Sequence, residues 1–122
     1  MILADSSVWA DHFRRASPDF QQHLRTDRVL IHPSVVGELA LGNLPRRRTV
    51  IAFLEALPRA VEVQDTEVLK MIEANRLHGA GIGWVDAHLV ASALLTRVDL
   101  WTRDKRLLAV AQRLGVPARG MH

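Results

Sequence analysis

The sequence predicts an α/β protein: a three-layer α/β/α sandwich around a central parallel sheet of four to five strands. Short apolar runs at 1–4, 28–31, 60–63 and 99–102 alternate with segments of helical periodicity, the pattern of a parallel sheet covered on both faces. The first run, Met1-Ile2-Leu3-Ala4, is continuously apolar, as a strand buried on both faces must be. At 122 residues the chain can bury one core but not two, so a single domain over 1–122 is expected. With 48% apolar and 24% charged residues, it has the balance of a folded globular protein.

After the first strand, Ser6 opens a helix in which Val8, Trp9, His12 and Phe13 recur at helical spacing. The Ser17-Pro18 break leads to a short helix over 19–24, and 28–31 is the second strand. Pro33 suits a first helical turn, where its missing N–H would lack a partner anyway; this helix runs to Leu41 and Gly42-Asn43 ends it. Pro45 and Arg46-Arg47-Arg48 open the next helix, which reaches Leu57 and is closed by Pro58. The third strand is 60–63, and 65–78 is a further amphipathic helix. Gly79-Ala80-Gly81-Ile82-Gly83, the most flexible stretch, runs straight into an apolar helix over 84–96. The fourth strand, 99–102, precedes a last helix over 105–114, and Gly115-Val116-Pro117 caps it with room for a short edge strand.

Composition narrows the function classes. There is no Cys, which excludes a disulfide framework and a thiolate metal site. The N-terminus lacks the pattern of a signal peptide and no apolar run is long enough to span a bilayer, so a cytoplasmic location is expected. Of sixteen basic residues only Lys70 and Lys105 are Lys, and the formal net charge of +3 favours a polyanionic partner only mildly.

The acidic residues say more. Ligands of open parallel sheets bind beyond the carboxyl ends of the strands. Asp5 follows the first strand, Glu38 lies on the helix after the second, Asp86 opens the helix before the fourth and Asp104 follows the fourth. In isolation each has a plainer role: Asp5 and Asp104 as helix caps, Asp86 against a helix dipole, Glu38 as a solvated side chain. Two features weigh against the plain readings. Glu38 is the only ionisable residue in 33–44, and 84–95 is apolar apart from Asp86, His88 and Ser92, with no basic residue to pair with Asp86. Carboxylates gathered at a buried edge repel one another unless a cation neutralises them, and hard oxygen donors suit Mg²⁺ or Mn²⁺ better than zinc.

Ala4-Asp5-Ser6-Ser7-Val8-Trp9, the isolated Glu38, Trp84-Val85-Asp86-Ala87-His88-Leu89-Val90-Ala91-Ser92-Ala93 and Thr102-Arg103-Asp104 resemble the successive motifs of PIN-domain nucleases, and more narrowly of VapC toxins. The likeness runs in order over essentially the whole chain. It implies a PIN-like fold in which Asp5, Glu38, Asp86 and Asp104 hold a divalent metal, while the Ser7 and Thr102 hydroxyls organise the site behind them. It also implies a homodimeric endoribonuclease toxin blocked by a VapB-type antitoxin, with RNA as substrate and DNA contacted only through the antitoxin. One departure stands out: many relatives carry a further acid two places beyond the last Asp, where this chain has Arg106, which puts tight binding of a second metal in doubt.

Arg103, beside Asp104, and the Arg46-Arg47-Arg48 run are the candidates for gripping an RNA backbone. His12, His23, His32, His78 and His88 show no metal-ligand spacing, and Trp9, Trp84 and Trp101 read as core. No nucleophile elbow and no Gly-Lys-Ser phosphate loop is present. Other Mg²⁺-binding α/β domains fit less well. A receiver domain needs paired acids after its first strand, a haloacid-dehalogenase-type phosphatase needs Asp-x-Asp, and this chain has Asp5-Ser6-Ser7. The remaining alternative is a non-catalytic PIN-like interaction module.

Overall fold

A computed structural model describes residues 1–120. The elements in order are β1 (Ile2–Ala4), α1 (Ser6–Arg14), α2 (Pro18–Arg25), β2 (Val29–Leu30), α3 (Pro33–Ala40), α4 (Arg47–Ala56), α5 (Asp65–Ala74), α6 (Trp84–Thr96), β3 (Asp99–Thr102), α7 (Lys105–Arg113) and β4 (Ala118–Gly120). The four strands form one parallel sheet in the order β2-β1-β3-β4, with Leu3 facing Leu30 on one side and Leu100 on the other. Helices cover it, giving the expected PIN-like α/β sandwich.

The apolar run at the N-terminus makes β1 the centre of the sheet: Leu3 and Ala4 are wholly buried, as is Leu100 on β3. Trp9 of α1 meets Phe20 of α2 edge-to-face, with ring centroids 4.8 Å apart, and both are fully covered. Leu89 and Val90 of α6 and Leu107 of α7 fill the rest. Fully burying one such side chain stabilises the fold by roughly 1.5–3 kcal/mol. Because the strands are parallel, their carboxyl ends gather along one edge, and the loops after β1, β2 and β3 open there.

The expected strand over 60–63 does not form. Its backbone follows β2 only through a single bridge, Ile31 to Arg59, before α6 takes over. The Ser92 hydroxyl donates to the Val61 carbonyl at 2.5 Å, and the Val61 N–H donates to the Thr96 hydroxyl at 3.1 Å. The next ladder bond would need an N–H from Pro33, which has none, and the Val61 N–H and C=O, which face away from β2, are taken up by α6. The expected strand over 99–102 is present as β3, and the edge strand for which the sequence left room beyond Gly115-Val116-Pro117 forms as β4, paired with β3. The helix expected over 65–78 stops at Ala74, since Arg76 adopts a left-handed φ of 51° and the Asn75 amide turns back to the Met71 carbonyl.

Replacing Ser92 by Ala removes the Val61 contact and should lower stability by about 1 kcal/mol, read as a lower urea midpoint with an unchanged m-value. An unchanged midpoint would mean that this hydroxyl does not hold the 60–63 segment.

Candidate active site

Asp5 leaves the end of β1 as the N-cap of α1 and is only 5% exposed. Its carboxylate accepts the Ser7 hydroxyl at 2.5 Å and the Val8 N–H at 3.2 Å on Oδ1, and the Thr102 hydroxyl on Oδ2. Thr102, wholly buried at the end of β3, accepts the Asp104 N–H at 2.9 Å, and the Ser7 oxygen accepts the Arg103 N–H at 3.0 Å. These two hydroxyls stitch the ends of the central strands together. They fix Asp5 in place while leaving its carboxylate an acceptor for further ligands.

The other carboxylates are each held by one oxygen. Asp104 caps α7, its Oδ1 accepting the Arg106 N–H at 2.8 Å and the Leu107 N–H at 3.3 Å. Asp86 Oδ2 accepts the Gly83 N–H at 3.4 Å, and Glu38 Oε1 accepts the Ser6 hydroxyl at 3.1 Å. Asp104 Oδ2, Asp86 Oδ1 and Glu38 Oε2 have no donor among the described residues. The plainer capping roles of Asp5 and Asp104 are therefore real, and they leave oxygen atoms over.

Burial pushes the Asp86 carboxyl above the ordinary Asp range, and the charges of Asp5, Asp104 and Glu38 push it the same way, against the Gly83 N–H that favours the ionised form. Asp5, Asp104 and Glu38 thus each lie near enough for their charge to reach Asp86. None of them is in an ion pair with any described residue. No three His, Asp or Glu side chains among the described residues already surround a common point at ligating distance. The donor set itself, all carboxylate oxygen and uncompensated, fits a hard divalent cation. Glu38 sits at the rim, on the wall of a cleft of about 540 Å³ that it shares with Ser6, Ser7, Phe13 and Leu44.

The basic residues are placed unevenly. The Arg103 guanidinium pairs with Asp11 at 2.6 Å. Arg47 donates to the Ala40 and Gly42 carbonyls and so closes the end of α3. Arg46 takes a left-handed φ of 50° to start α4, and Arg48 is exposed beside it. Arg106 lies across the glycine loop: a Cβ on Gly81 would stand 2.6 Å from Arg106 Cδ, and Gly81 has a φ of +84°. Only glycine meets both conditions. Of the tryptophans, Trp9 and Trp101 are core, whereas Trp84 is 45% exposed and does not belong to it. Ser6, Asp11 and Gly83 were not singled out from the sequence, since each acts through a partner distant in the chain or through a backbone N–H.

A family model described as PIN domain matches residues 2–113. Two relatives, both named Ribonuclease VapC32 and from Mycobacterium tuberculosis strains CDC 1551 / Oshkosh and ATCC 25618 / H37Rv, are each 44% identical over 117 residues, covering 95% of this chain and 94% of the relative. The chain belongs to the VapC group of PIN-domain ribonucleases. Enzymes of this family generally depend on a divalent metal. The motifs after β1, on α3, at the start of α6 and after β3 fall within the matched span.

Asp86 gives a signed pH prediction. Its folded-state pKa lies above its unfolded value, so ionisation costs stability in the metal-free protein. That cost is absent below the unfolded pKa and grows as pH rises through the folded one. The melting temperature of wild type minus that of Asp86→Asn, measured in EDTA, should therefore fall from pH 4 towards pH 7. A difference that stays flat or rises would mean that burial and the neighbouring charges do not together hold the Asp86 carboxyl up.

Proposed function

We propose that the chain, as a single PIN domain, is the toxin of a toxin–antitoxin pair. It is an endoribonuclease that hydrolyses RNA phosphodiesters at a site where Asp5, Glu38, Asp86 and Asp104 hold Mg²⁺ or Mn²⁺. The observation that supports this reading is that acids from three other segments, Asp5, Glu38 and Asp104, act on the carboxyl of Asp86, and that none of the four is in an ion pair with a described residue. When bound, a divalent ion supplies Lewis acidity and neutralises charge on the phosphoryl oxygens.

The residues of the chain have distinct shares in that chemistry. Asp5 is the fixed ligand, oriented by Ser7 and Thr102. Asp104 and Asp86 each offer the oxygen that their capping contacts leave over. Glu38, at the mobile end of an exposed side chain, either binds the ion directly or positions the attacking water and takes its proton. Arg103 exchanges Asp11 for an RNA phosphate, with Arg46 and Arg48 further along the backbone; Arg47 contributes little, because carbonyls already occupy it. Arg106 stands where a further acid would help hold a second ion, so one ion is expected.

A VapB-type antitoxin would cover the acidic edge, the catalytic form would be a homodimer, and DNA would be contacted only through the antitoxin. No described helix is long and apolar enough to cross a membrane, which fits work in the cytoplasm on RNA.

Cleavage of a defined RNA panel with Mg²⁺ or Mn²⁺ should fall by at least about a hundredfold in Asp104→Asn and in Asp5→Asn, since each removes a proposed ligand. Ser7→Ala, which only loosens Asp5, should lose roughly ten- to a hundredfold. Melting curves accompany each variant, and Asp104→Asn carries the test if Asp5→Asn unfolds. Full activity in a folded Asp104→Asn would remove the quartet from the mechanism and leave a binding module.

A further inference from the structure

A second cavity, of about 280 Å³, lies on the β2 side of the acidic edge and is lined by His32, Ser34, Glu62, Asp65, Trp84 and His88. His32 is the N-cap of α3 and is 3% exposed. Its Nδ1 accepts the Ser34 N–H at 3.0 Å, and a backbone N–H can only donate, so Nδ1 carries no proton. Burial holds the His32 pKa below its ordinary value, with Glu62 opposing and His88 reinforcing the shift, which keeps the ring neutral. The single ring proton is therefore on Nε2, which is buried and has no partner among the described residues. This N–H cannot ligate a metal; it needs an acceptor.

The acceptors in the cavity wall are divided. Asp65 is held by His88 Nε2 at 2.9 Å, whereas no described residue forms an ion pair with Glu62. The cavity wall thus carries one unpartnered N–H, on a nitrogen covered from solvent, and in Glu62 a carboxylate outside any ion pair among the described residues. Trp84, half-exposed and with its ring 4.6 Å from that of His88, forms the rim. Ser34 stands one helical turn before Glu38 on α3, so the cavity and the acidic edge share that helix.

We propose that this cavity reads a guanine base next to the cleaved phosphodiester, a specificity that rests on the ribonuclease reading above. Guanine alone among the four bases offers two adjacent donors, N1–H and the N2 amine, beside an acceptor, O6. The donors pair with Glu62, Trp84 supplies a stacking surface, and O6 accepts the His32 N–H once the side chains that cover that nitrogen move aside. Adenine and cytosine set a bare ring nitrogen against the carboxylate, and uracil has one ring donor between two acceptors.

The test uses 5′-GMP, IMP, AMP, CMP and UMP titrated into the metal-free full chain, followed by the NMR signals of the Trp84 indole and the His32 ring. GMP should shift both saturably, and IMP, which lacks the N2 amine, should bind about tenfold more weakly. AMP, CMP and UMP should not saturate. Glu62→Gln, at an exposed position, should leave the melting temperature unchanged and erase the difference between GMP and IMP. Equal shifts from GMP and AMP, no shift at Trp84, or an unchanged GMP-to-IMP ratio in Glu62→Gln would overturn the proposal without touching the quartet. Guanine selectivity in a chain that cleaves no RNA would keep the pocket and sink the nuclease.

Discussion

The site depends on one buried carboxylate. Asp5 ends the central strand with almost no solvent contact, and a charge there is tolerable only because two hydroxyls and a backbone N–H point at it. The same hydroxyls reach back to the N–H groups of Arg103 and Asp104, so the turn after β3 is built around the side chain that ends β1. Sheet register and site geometry are one constraint. A slip of one residue between β1 and β3 would separate Asp5 from Thr102 and dismantle both.

Local capping does not exhaust these acids, because each carboxyl has two oxygens. Asp104 and Asp86 spend one on a helix N-terminus and keep the other, so the helices that place the acids are stabilised by them. What remains is repulsion. Burial first, and then the charges of three neighbours, hold the Asp86 carboxyl above the ordinary Asp range, a perturbation common at functional sites. Arginine does not relieve it: Arg103 is turned to Asp11, Arg47 to carbonyls and Arg106 to the glycine loop.

Much of this was legible in the sequence. The continuous apolar run at β1, the lone Glu38 and the otherwise apolar helix around Asp86 are strong local signals, because burial and isolation leave a charged residue few structural excuses. The expected strand over 60–63 failed because its ladder to β2 meets Pro33, which has no N–H to give, while the Val61 backbone groups go to Ser92 and Thr96, some thirty residues away, about which periodicity carries no information. Trp84 was read as core because its neighbours are apolar, yet a helix N-terminus at a sheet edge leaves its first residue facing outward. The orphaned His32 N–H was invisible for a different reason: it follows from a tautomer fixed by Ser34, a fact of geometry rather than of residue type.

The central claim is that the four acids share one cation. A crystal soaked in Mn²⁺ tests it most directly through the anomalous signal of the ion. The account predicts a single strong peak about 2 Å from oxygens of Asp5, Asp86 and Asp104, with Glu38 in direct contact or one water away. An ion bound elsewhere, or carboxylates that stay apart and pair with arginines at saturating Mn²⁺, would contradict it.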